Sequence, residues 1–113
     1  MMERRQQSRK SLQCRVYFIC VSADGRESSQ DIGVVRDISA GGMMLETTTP
    51  INTTEIRIIT STPDNQQIEA IGGVIYSMQV GQGQYNTGIF FQSSPEDAAR
   101  FVEQLVLVQD ESG

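Results

Sequence analysis

Six short apolar runs, each closed by a turn signal, precede one stretch with helical spacing, and that order leaves few folds open. The first run is the clearest. Leu12, Cys14, Val16, Phe18 and Cys20 alternate with Gln13, Arg15, Tyr17 and Ile19, the period of a strand with its even-numbered face buried. Ala23-Asp24-Gly25-Arg26 reads as a turn, Ser28 to Ile38 as a second strand and Met43 to Glu46 as a short third. Thr47 to Thr54, which holds Pro50, is a loop. Glu55 to Ser61 is a fourth strand with Ile56 and Ile58 inward, and Thr62-Pro63-Asp64-Asn65 is a turn. Gln67 to Met78 is a fifth strand with Ile68, Ala70, Val74, Tyr76 and Met78 on one face. Gly72-Gly73 interrupts it, as at a bulge or barrel corner. Val80-Gly81-Gln82-Gly83 turns the chain into a sixth strand, Gln84 to Gln92, with Tyr85, Thr87, Ile89 and Phe91 on one face.

The period then changes. Ser94-Pro95-Glu96-Asp97 has the signature of a helix start: a serine cap, proline in the first turn, and acids at the positive end of the dipole. Ala98, Phe101, Val102, Leu105 and Val108 follow as one apolar stripe, and the acidic end Asp110-Glu111-Ser112-Gly113 is expected to fray. The chain of 113 residues fits one domain. The expected fold is all-β with one helix: a six-stranded antiparallel β-barrel with a C-terminal α-helix packed on it. Residues 1–11 are expected to form a flexible basic arm, and residues 12–109 the barrel and helix.

Composition excludes several chemistries. There is no histidine, so the commonest general base and metal ligand are missing. Cys14 and Cys20 share a strand face, but six residues of strand separate them by about 20 Å. A disulfide requires Cα atoms within about 7 Å, so both read as reduced core residues. No apolar run approaches the roughly 20 residues of a membrane helix, and no signal peptide follows Met1-Met2-Glu3-Arg4-Arg5. A cytoplasmic location without membrane insertion is expected. Net charge is −5, unevenly spread. Residues 1–15 hold five basic residues against Glu3, and the remainder holds four arginines against thirteen acids. A basic arm on an acidic body suits a small anion better than a long polyanion, so no nucleic acid is expected.

Between the second and third strands lies Asp37-Ile38-Ser39-Ala40-Gly41-Gly42. Asp and Ser bond nearby backbone N–H groups, and glycine reaches positive φ without steric cost, so the segment reads as a sharp hairpin turn. Ahead of the first strand stands Arg5-Gln6-Gln7-Ser8-Arg9, an R-x-x-x-R. Together with D-x-S-x-x-G in this order on a six-strand pattern, it resembles the PilZ domain family. Gly33 and Thr87-Gly88-Ile89-Phe90-Phe91 also look like family positions, and the resemblance runs from about Glu3 to the closing helix. Gln7-Ser8 is more polar than is common there. Tyr76 sits where a larger aromatic is frequent, and neither departure touches a binding position of the family pattern.

The resemblance implies a bacterial receptor or adaptor, not an enzyme, whose ligand is cyclic di-GMP and which needs no cofactor. Arginine pairs phosphate oxygens bidentately and reads or stacks on guanine, which suits Arg5 and Arg9. An aspartate accepts the N–H donors of the guanine Watson–Crick edge, which suits Asp37. Ser39 adds a hydrogen bond, and Gly42 allows close backbone approach. Arg4 and Gly41 are auxiliary. The receptor is expected to change conformation on binding and to signal to an unidentified protein effector, as a monomer or homodimer. The alternatives are a PilZ-like protein-interaction module that does not bind nucleotide, and a single-strand-binding barrel. The latter is disfavoured because the strand faces lack an aromatic stacking row.

Overall fold

The computed structural model describes residues 10–62 and 64–112. Six strands, β1 (Lys10–Val21), β2 (Asp31–Ile38), β3 (Gly42–Thr47), β4 (Glu55–Ser61), β5 (Gln67–Gly81) and β6 (Gln84–Phe91), precede one helix, α1 (Pro95–Ser112). The strands close into an antiparallel barrel in the order β1-β2-β3-β6-β5-β4, the expected fold class. The alternation of β1 is realised, with Leu12, Cys14, Val16 and Phe18 buried and both thiols free. β1 begins at Lys10, two residues before the apolar pattern, and Lys10 pairs with Ile38 beside the β2–β3 turn. β2 begins at Asp31 rather than Ser28, because Ser28 serves the preceding loop, its hydroxyl accepting the Cys20 N–H at 3.0 Å.

Facing residues of all six strands fill the interior; Val35, Leu45, Ile56, Ile58, Ala70 and Thr87 are fully buried. Thr87 is satisfied by a hydroxyl pair with Ser77 at 2.9 Å, and Ser77 also accepts the Ile51 N–H at 3.0 Å. That bond ties the β3–β4 loop to the barrel and buries Ile51. Helix α1 starts as expected, with the Ser94 hydroxyl accepting the Asp97 N–H at 3.2 Å. It lays Ala98, Phe101 and Leu105 into the barrel's own core. The Phe101 ring meets Phe91 edge-on, with centroids 6.2 Å apart. The helix continues through Asp110 and Glu111, which were expected to fray. The side chain of Val108 lies outside the described residues.

Strand β5 departs from expectation. Gly72-Gly73 makes no bulge: Gly72 pairs with Ile56 and Phe91, and Gly73 with Glu55 and Phe90. The register shifts two residues later, between Val74 and Tyr76 opposite Ile89 and Gly88. Ile75 is the extra residue. One inserted residue turns every following side chain to the other face. Tyr76 and Met78 therefore point outward, 44% and 55% exposed, instead of sharing the inner face of Ala70.

Candidate functional site

Strand β2 carries a similar device. Its register against β3 shifts between Val35 and Asp37, which makes Arg36 the extra residue. Asp37 then pairs with Met44, Met44 with Gly88, and Gly88 with Tyr76. On the other side Ser11 of β1 pairs with Asp37. One cross-strand row thus runs over the outer barrel surface through five strands. At its centre the missing Cβ of Gly88 leaves a depression. The Tyr76 ring lies against it, where a Cβ would overlap the ring.

The depression is a cleft of about 280 Å³ lined by Asp37, Met44, Tyr76 and Gly88, with Ile75 at its rim and Met43 and Ile89 beneath. A carboxylate stands at one side and an aromatic ring at the other. Such a pairing offers an acceptor for N–H donors and a flat apolar surface for a planar ring. The volume is just below the range of about 300–1,000 Å³ usual for ligand pockets. It suits one planar heterocycle better than a whole dinucleotide. Arg36 does not enter the cleft; its guanidinium lies 3.4 Å from Glu46.

The other residues of the turn hold it together. The Ser39 N–H donates to the Gly42 carbonyl at 2.8 Å, closing the hairpin. Ser39 is 5% exposed, and its hydroxyl accepts the Gly41 N–H at 3.3 Å and donates to the Gly42 carbonyl at 3.4 Å. The Gly41 carbonyl accepts the Phe91 N–H at 2.9 Å. The expectation of positive φ at Gly41-Gly42 is not met: the glycines in that region are Gly25 and Gly83. Gly42 is needed for a different reason, since a Cβ there would overlap the Ile89 carbonyl oxygen of β6.

Of the residues singled out from sequence, Asp37 faces the cleft, and Ser39, Gly41 and Gly42 form the adjoining turn. Arg4, Arg5 and Arg9 lie outside the described residues. Met44, Ile75, Tyr76 and Gly88 are not among the expected site residues, and simple alternation puts Tyr76 on the same face as Ala70. The available signal was Gly88 opposite an aromatic residue, but it reads only once the register is known. Among the described residues no cluster of acidic or thiol side chains is arranged to hold a metal ion. No described helix is long and apolar enough to cross a membrane.

A family model described as PilZ domain matches residues 3–107. No functionally curated protein matches the sequence. Among solved structures, the chain resembles the PilZ domain with c-di-GMP of YcgR from Escherichia coli. Identity there is 17% and TM-score 0.60, covering 97% of this chain and 94% of that one. It also resembles the Bacillus subtilis inhibitor of motility MotI/DgrA at 16% identity and TM-score 0.64, covering 97% of this chain and 53% of that one. The K. pneumonia MrkH–c-di-GMP complex matches at 16% identity and TM-score 0.59, covering 99% and 57%. The chain therefore spans little more than half the length of MotI and MrkH.

Proposed function

The chain belongs to the PilZ domain family, and from that premise we propose that it is a cytoplasmic receptor for cyclic di-GMP that binds its ligand and does not transform it. The observation that carries this reading is the cross-strand row that sets Asp37 and Tyr76 on opposite sides of one cleft. One guanine enters the cleft. Its N–H edge donates to the Asp37 carboxylate, and its face lies against Tyr76 and Met44. Ser39, Gly41 and Gly42 act by holding the turn beside Asp37, and Gly42 keeps β3 against β6.

Arg5 and Arg9 supply what the acidic body lacks, pairing with the phosphates and the second guanine, with Arg4 as an auxiliary charge. Lys10, the first residue of β1, pairs with Ile38, the neighbour of Asp37 in β2, which favours an approach of the basic segment from that side. Residues 1–9 close over the ligand from there. Closure is the conformational change, and the changed surface signals to a protein effector.

Calorimetric titration with cyclic di-GMP tests the reading. Micromolar or tighter binding is expected, about 8 kcal/mol or more, and Arg5→Ala or Arg9→Ala costs about 1.5–3 kcal/mol of it. No heat at high micromolar ligand would leave the nucleotide-free interaction module as the better account.

A further inference from the structure

Strand β5 has 15 residues, against 7 in β4 and 8 in β6. It pairs with β4 through Gln67–Gly73 and beyond that with β6 alone. The β5–β6 ribbon is also without charge: no ionisable side chain other than tyrosine occurs between Glu69 and Glu96. Beyond Ile75 and Tyr76, which belong to the cleft, its outer face carries Ile71, Met78, Val80 and Phe90, each 38% to 55% exposed. Elsewhere among the described residues only Tyr17 and Ile32 are large, apolar and exposed. Exposed strand edges are ordinarily blunted by lysine, proline, an inward charge or a bulge; Ile75–Gly81 has register shifts at Ile75 and Val80 but no charge and no proline.

We propose that this ribbon is where a second copy of the chain docks. In a twofold contact each face meets itself, so any net charge on it opposes its own image. After residue 15 the chain holds thirteen acids against four arginines, which sets two copies repelling over most of their surface. The ribbon is the stretch where self-contact meets no like charge and desolvates no ion. From Ile71 to Val80 it extends about 30 Å, and two strands make it about 10 Å wide. That falls short of the roughly 800 Å² per partner of a standard stable interface. The dimer is accordingly weak and reversible.

Sedimentation equilibrium of the full chain over about 5–500 micromolar tests this. A monomer–dimer equilibrium is expected for the wild type. Met78→Glu and Val80→Glu should each weaken it by about tenfold or more, with unchanged melting because both side chains are half exposed. Gln66→Glu, an exposed residue in the β4–β5 turn, should leave it unaltered. A monomer throughout the range, a dimer indifferent to both ribbon substitutions, or an equal loss with Gln66→Glu would overturn the proposal.

Discussion

Asp37 owes its outward position to the extra residue before it. Arg36 breaks the β2 register, so Asp37 stands in the outer row beside Met44. Asp37→Ala should lower affinity for cyclic di-GMP by about 1.5–3 kcal/mol, the scale of a hydrogen bond to a charged group, as calorimetry would read. Ser39→Ala, by contrast, removes a buried hydroxyl that serves the turn, and chemical denaturation should show a loss of about 1–2 kcal/mol. The two thiols give an independent check on burial. Desolvation pushes the Cys14 thiol above its ordinary value, which lowers its thiolate fraction at any given pH. The protonated form is favoured by the fold, so this contribution is present below the unfolded pKa and fades as pH rises through the folded one. With an aromatic disulfide reagent near pH 8, Cys14 should react only on unfolding and half-buried Cys20 well before it. Asp37 and its turn were legible because short polar residues and glycines mark turns locally. The reason for Gly42 was not, because its close neighbour, Ile89, is 47 positions away along the chain.

The elements were legible wherever one period ran unbroken. Alternation gave β1 its buried face, and the serine cap with its apolar stripe gave α1. Phe101, fully buried in the barrel core, tests that packing. Phe101→Ala should cost about 3–5 kcal/mol and lower the melting temperature markedly, whereas a helix packed elsewhere would tolerate the change. Strand β5 was legible in extent but not in facing. Its glycine pair looked like an interruption, yet each glycine stays in register because β6 presses close: a Cβ at Gly73 would overlap the Phe90 ring. The true bulge falls on Ile75, a residue with good strand propensity and no local mark of a break. A slip there decides whether Tyr76 is core or outer surface.

At the scale of the whole molecule, the fold brings the start of β1, the β2–β3 turn and the β5 bulge together on one side of the barrel. Arg4, Arg5 and Arg9 precede β1 as a basic arm, on a body that carries thirteen of the fourteen acids. A doubly anionic ligand held by that arm should bind more weakly as ionic strength rises toward 0.5 M, because exposed charges are screened beyond a Debye length of about 10 Å or less. Titration across a salt series checks this; an affinity flat in salt would argue against the arm. The most direct test of the site itself is a backbone and side-chain NMR titration with cyclic di-GMP. The account predicts saturable shifts centred on Asp37, Met44, Tyr76 and Gly88 and on the Ser39–Gly42 turn, with new protection across residues 4–9. Shifts confined to another face of the barrel, or none at saturating ligand, would contradict it.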